Sequence, residues 1–350
     1  MGQIGFFDEF NRLDRLSKMG DPLEKVSCAV DWEIFRPILE KAVHRDKEKE
    51  RLGGRPPWDC ILMFKILLLQ AWYCIADDMT EYMINDRLSF QRFLGLTLGS
   101  KVPDAKTIWL FRDTLSKKGM DRQLFDFFNR VMEYEGIITR TGSIVDASFV
   151  EVPRQRNTRE ENKTIKAGEI PEEWRRDTPE DRNKLKQKDT EARWAKKNDE
   201  LHYGYKDHIK IDKDSKIITE YTVTSASVHD SRAIVGLVDE QDEVIYADSA
   251  YVGEELHEEI REVACNARLE IHEKGQRNTP LSEEQKASNT VKSRTRARVE
   301  HIFGFMENSM GGLFSRLIGI ARNAFIIGIK NLAYNLRRYA FIVGNKRIVA

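Results

Sequence analysis

Three carboxylates stand where a carboxylate needs a partner. Asp146 lies in IVDAS, preceded by Ile144 and Val145 and followed by Ala147. Asp248 lies in VIYADSAY, again at the end of an apolar run. A lone Asp among apolar strand residues is costly unless it is paired or metal-bound. Two such positions, both near expected strand ends, suggest a shared task. Glu300 lies in SRTRARVEHIFG. At helical spacing, residues 293, 296, 300, 303 and 307 fall on one side, so Glu300 shares a stripe with Arg296 and Phe303. Taken singly, each acid has a plainer reading. Either Asp could be a turn, cap or edge residue, and Glu300 could be a solvated helix acid paired with Arg296.

The elements that would position them divide at Ile137. Upstream the pattern is helical almost throughout. Phe6, Phe7, Phe10, Leu13 and Leu16 lie close to one stripe. Asp21 before Pro22 is a helix cap, with Glu24 in the first turn, and Asp31 caps the next helix. Residues 46–55 read as a charged, glycine-rich loop. An apolar helix runs from about Trp58 to Ile75 as the centre of a bundle. Further helical stretches cover 80–96, a segment capped by Asp104, and 121–136. Downstream, β-branched runs predict strands around 142–152, 203–211, 217–225 and 243–251. Helices are expected over 229–240, EELHEEIRE, 282–307 and the tail. That order predicts a mixed α/β domain with helices on the faces of one sheet. Residues 153–200 are polar, with few aliphatics, and are too long for an ordinary connection. They are expected to be an insertion or flexible loop without a ligand.

Bulk composition narrows the function less. Lys plus Arg and Asp plus Glu both number 57, and the sequence pI is about 7.1. A compact nucleic-acid-binding domain is often strongly basic, so only local charge can speak for such a role. Basic runs occur at Arg154–Arg159, Arg182–Lys188 and Lys292–Arg298. The four cysteines have no CxxC spacing, which argues against a zinc ribbon or a disulfide framework. The start has no signal-peptide pattern, and the apolar run 60–76 is interrupted by Lys65 and too short for a membrane crossing. A cytoplasmic protein without membrane contact is expected.

IVDAS, HYGYKDHI, VIYADSAYVG and SRTRARVEHIFG, in this order, resemble the catalytic domain of bacterial insertion-sequence DDE transposases. The closer likeness is to the large group whose last signature pairs an Arg with the catalytic Glu, here Arg296 and Glu300. The stretch from RPPWDCILMFKILLLQAW to VPDAKTIWLFRDTL resembles the helical domain that precedes catalysis in that group. The resemblance implies an α/β catalytic domain of ribonuclease-H-like fold with a mixed sheet, over 138–340, interrupted by the polar insertion at 153–200. An all-helical DNA-binding and assembly domain over 1–137 would precede it.

It implies that Asp146, Asp248 and Glu300 are both the catalytic residues and the ligands of two Mg²⁺ ions, for which Mn²⁺ can substitute. Asp146 would bridge the two ions. Two such ions activate a water or 3′-hydroxyl and stabilise the leaving oxygen of a phosphodiester. They prefer hard oxygen ligands. The partners implied are double-stranded DNA, as element ends and target, and a second copy of the chain on DNA. The expected setting is bacterial and nucleoid-associated. A metal-dependent nuclease without strand transfer, or a non-catalytic DNA-binding derivative, remains open. One departure stands out: Glu307 occupies the place where the group usually has a Lys.

Candidate DNA contacts are Lys292, Arg294, Arg296 and Arg298 on the Glu300 helix, and Lys106 and Arg112 upstream. Arg296 could hold a phosphate, orient Glu300 or form a structural ion pair. His208 could touch DNA or be structural. His229 reads as a helix-start residue, and His301 is expected to point away. Trp174 and Trp194 could stack on a base or anchor the insertion.

Overall fold

The computed structural model describes residues 7–43, 56–175, 178–197, 199–275 and 280–349, with backbone only at 179–182 and 346–349. Phe6 and the expected loop at 46–55 fall outside them. The chain forms two compact units that are not consecutive segments. One comprises Met1–Glu135, Ser309–Gly311 and Gly328–Ala350; the other comprises Gly136–Asn308 and Gly312–Ile327. The boundaries expected from sequence, 137 and 340, ran consecutively and left the tail in the second domain.

The first unit is helical: α1 (Asp8–Lys18), α2 (Pro22–Ala29), α3 (Arg36–Val43), α4 (Cys60–Tyr73), α5 (Asp77–Asp86), α6 (Leu88–Leu94), α7 (Ala105–Lys117) and α8 (Met120–Tyr134). Several starts follow their expected capping chemistry. Asp21 accepts from the Leu23 N–H, Asp31 from Glu33 and Asp104 from Thr107; Asp59, which accepts from the Leu62 N–H at the start of α4, was not foreseen as a cap. The α4 helix is apolar all round because it is the buried centre. Phe64, Leu68, Leu69 and Trp72 are fully buried, and the Trp72 indole donates to the Ala333 carbonyl at 2.8 Å. No single helix among the described residues is long and apolar enough to cross a membrane, and the consecutive pair α4 and α5 is bent by 102°.

The second unit holds a six-stranded mixed sheet. Its strands are β1 (Ser143–Glu151), β2 (Arg193–Lys197), β3 (Glu200–Asp212), β4 (Ile218–Ser225), β5 (Val244–Ala247) and β6 (Arg268–Ile271). β4, β3 and β1 are antiparallel neighbours, and β5 and β6 continue the sheet in parallel from β1. β2 pairs only with Glu200–Gly204, the start of β3. Gly204 sits at the corner with φ +147°; a Cβ there would lie 2.3 Å from the Val150 carbonyl oxygen, so only glycine fits. Val145, Ile234, Ile245, Ala247, Tyr251, Ile260 and Ile271 form the core on one face.

β3 pairs with β1, β2 and β4, and three of its buried charges fasten loops. Lys206 holds Asp230 at 2.7 Å, Lys210 holds Asp239 and Asp242, and Asp212 accepts from the Arg140 and Ser215 N–H groups. Buried charges persist only when paired in this way. The remaining helices are α9 (Arg159–Lys166), α10 (Pro179–Lys186), α11 (Ser231–Ile234), α12 (Glu254–Val263), α13 (Glu283–Ser309) and α14 (Ile320–Val349).

The described residues of the insertion at 153–200 form α9, α10 and β2, where a flexible loop was expected. Thr158 and Glu161 form a capping box at the start of α9. Glu161 also accepts from the Trp174 indole N–H and from Lys184, both at 2.8 Å. Trp174 is 1% exposed. Asp189 accepts from the Tyr205 hydroxyl and from the Ala192 N–H. Too few aliphatics had implied no core; here one buried indole and a set of satisfied polar groups replace it.

Candidate active site

β1 and β5 run parallel but share only two register pairs, Ser143 with Ile245 and Ile144 with Tyr246. Two residues beyond the last pair, each strand carries an acid: Asp146 on β1 and Asp248 just past β5. Parallel strands that part at their carboxyl ends open a crevice, the usual place for a ligand in such sheets. Asp146 is not at the end of its strand, as expected, because β1 continues against β3 to Glu151. Asp248 is past the end of β5; its Oδ1 accepts from the Ala250 N–H at 2.7 Å and starts the turn Ser249–Tyr251.

α13 supplies the rest. Its buried stripe is Val299, Ile302 and Met306, offset by one position from the stripe expected through Glu300. One residue on a helix is a rotation of about 100°, so Glu300 sits at the rim with its side chain 62% exposed. Arg296, one turn earlier, is drawn inward. Its Nη1 donates to Asp146 Oδ2 at 2.6 Å and its Nη2 to Glu300 Oε1 at 2.9 Å. Its Nε is buried with no hydrogen-bond partner among the described residues.

The electrostatics are unbalanced. Burial pushes the Asp146 carboxyl up, and although the Ala147 N–H and Arg296 pull it down, Asp248 pushes it further; it stands at about 6. Lys197, at the end of β2, also lowers it, which brings the far end of the insertion into the site's field. The Tyr251 phenol is raised by burial and then by Asp230, Asp146 and Asp248. Burial lowers His272, and Arg296 adds to this. Lys197, Tyr251 and His272 were missed in the sequence because none has a local signal. They come from three elements that only the sheet assembles.

The other candidates are placed as follows. Lys292 donates to the Ile271 carbonyl at 2.9 Å beside Glu270 and Glu273. Arg298 is held by the Lys213 carbonyl and Asp214. Arg294 is exposed, with no ion pair among the described residues. Lys106 is exposed on α7. Arg112 is half-buried in a two-pronged pair with Asp77 and also donates to Gln70, which accounts for it structurally.

His208 is fully buried and bonded to Thr224. His229 contacts the Ser231 hydroxyl at a helix start, and His301 is exposed. Trp174 anchors the insertion. Trp194 is 41% exposed, with the Arg154 guanidinium over its ring at 5.4 Å. Glu307 accepts from the Leu313 N–H at 3.2 Å and so fastens the Gly311–Gly312 turn after α13.

Whether these acids suit a divalent ion has two answers. In kind they do: they are hard oxygen donors, and two of them already close on a cation, the Arg296 guanidinium. In position they do not yet: no group of three His, Cys, Asp or Glu side chains among the described residues converges enough to hold a metal ion.

A family model described as a transposase DDE domain matches residues 138–336. A second, described as a transposase domain (DUF772), matches residues 11–114. No solved structure matches the chain. The strand order β4-β3-β1-β5-β6 with flanking helices is that of a ribonuclease-H-like core preceded by helices.

Proposed function

Because the chain belongs to the transposase DDE-domain family, we propose that it cleaves DNA at the ends of an insertion sequence and joins those ends to target DNA. Asp146, Asp248 and Glu300 would hold two Mg²⁺ ions, with Mn²⁺ able to substitute. When bound, the ions supply activation of the attacking oxygen and stabilisation of the leaving oxygen. The observation that carries the reading is the placement of Asp146 and Asp248 side by side where β1 and β5 part, with α13 bringing Glu300 and Arg296 to the same crevice.

The chain's own residues position and neutralise. Asp146 is fixed by the rigid β1–β3 ladder and by the Ala147 N–H. Asp248 is fixed by its bond to the Ala250 N–H. The cations of α13, Lys292, Arg294, Arg296 and Arg298, lie along one helix that DNA phosphates would approach, and Lys106 offers a further charge on the helical unit. Two element ends must be held together, so the protein acts as a homodimer on DNA.

The test is incubation of the full chain with end-containing and target DNA in Mg²⁺, with products sized on a gel. Cleaved and joined products are expected. Asp146→Ala should lower cleavage by about a thousandfold, the loss of several kcal/mol of charge stabilisation at about 1.4 kcal/mol per tenfold, with gel-shift affinity nearly unchanged. Parental cleavage by Asp146→Ala would overturn the assignment; cutting without joining would leave a nuclease.

A further inference from the structure

Arg296 occupies an odd position for a residue whose task is to contact DNA. Both of its Nη groups are committed to carboxylates, Asp146 at 2.6 Å and Glu300 at 2.9 Å. The two acids come from different elements, and this guanidinium bridges them. Its side chain is 22% exposed and its Nε has no hydrogen-bond partner among the described residues. A cation therefore already lies between two of the three acids. The third, Asp248, is close enough to raise Asp146 but has its Oδ1 on the Ala250 N–H. Among the described residues no three such side chains converge to hold an ion.

We propose that Arg296 is an internal competitor for the divalent ion: it bridges Asp146 and Glu300 while the metal site is empty and must swing out when the ion enters. This rests on the reading of those acids as metal ligands. The exchange has a physical logic. Asp146 is largely buried, and its charge would face Asp248 with little compensation. The guanidinium supplies part of that compensation and links the two side chains to each other. A divalent ion brings more charge to the same oxygens and displaces it. Arg296 stands one turn before Glu300 on α13, and its guanidinium reaches both acids by its own side chain, so its release asks for a change of rotamer and not of backbone. The cost of breaking two charge-assisted hydrogen bonds is subtracted from metal affinity. The free protein should then bind metal weakly by design.

The experiment measures Mn²⁺ binding to the full chain without DNA, by electron paramagnetic resonance of the free ion. Arg296→Gln is expected to bind Mn²⁺ roughly tenfold or more tightly than the parent, the equivalent of one charge-assisted hydrogen bond. Removing positive charge anywhere nearby would help a cation, so Arg294→Gln is the control. It neutralises the same helix without touching the carboxylates, and should change affinity by no more than about twofold. Arg296→Lys keeps the charge but cannot bridge both acids, and should fall between parent and Arg296→Gln.

Equal gains in Arg296→Gln and Arg294→Gln would overturn the competitor role, as would weaker binding in Arg296→Gln. If circular dichroism shows Arg296→Gln misfolded, Arg296→Lys decides: no gain over the parent overturns the proposal. Asp146→Asn separates the two readings. It should abolish binding; if it binds as the parent does, the ligand assignment itself fails and the exchange with it. If it abolishes binding while Arg296→Gln gains nothing, only the exchange fails.

Discussion

Two clusters in the α/β unit are built from the same parts, a carboxylate and nearby cations, yet they behave in opposite ways. In the insertion, burial would raise Glu161, but Lys184, the Thr158 N–H and the Trp174 indole more than offset it, and its carboxyl is held down at about 2. In the crevice, burial raises Asp146, and its partners fail to offset it; it stands at about 6. Glu161 draws its partners from within one folded segment and leaves little unsatisfied. Asp146 faces a second acid, Asp248, and shares one guanidinium with a third. A satisfied buried acid serves structure. An acid kept under-compensated beside a second acid is a candidate for a functional site, and this is the contrast on which the proposed role of Asp146 stands.

The largest effect should come from breaking the satisfied cluster. Trp174→Ala removes the indole that closes the insertion and should cost about 3–5 kcal/mol of local stability. Hydrogen exchange over 158–188 reads this. Continued strong protection there would mean that the indole is not the core of the insertion.

A direct contrast comes next. Glu161→Gln should destabilise the insertion by about 1–3 kcal/mol, since a charge-bonded carboxylate is lost. Asp146→Asn should leave thermal stability unchanged or raise it, because it removes a poorly compensated buried charge. Melting temperatures moving the same way in both variants would erase the distinction drawn here.

Acid should act on Glu161 with a definite sign. Its folded-state value is depressed from 4.5 to about 2, so its contribution is full above about 4.5 and is lost as pH falls through about 2. Protection of the insertion followed down a pH series checks this, and Glu161→Gln should flatten the dependence.

The smallest effect concerns α13. Arg294 is exposed with no ion pair among the described residues, so Arg294→Gln should reduce the dependence of log affinity for DNA on log salt by about 0.9. Arg298, already held by Asp214, should change the slope less. Equal, unchanged slopes would mean that neither meets phosphate.

Much of this was written locally in the chain. Asp21, Asp31 and Asp104 cap helices because a short carboxylate ahead of a helical run has free N–H groups to bond. Asp146 and Asp248 stood out because an acid at the end of an apolar run needs a partner. Outside the insertion, the helix and strand order after Ile137 followed from a change of hydrophobic period. All of these depend on neighbours within a few residues, and so does the insertion's capping box, Thr158 with Glu161.

What tertiary structure decided depended on distance along the chain. The rotation of α13 puts Val299, Ile302 and Met306 inward and leaves Glu300 at the rim, because packing against the sheet sets which stripe is buried. Arg112 turned to Asp77, an acid supplied by another helix. The insertion folded around Trp174, which no aliphatic pattern could signal. Above all, the pairing of Arg296 with Asp146 joins residues 150 positions apart. The sequence supplied the acids and the cation, and only the sheet with its crossing helix could determine that they meet.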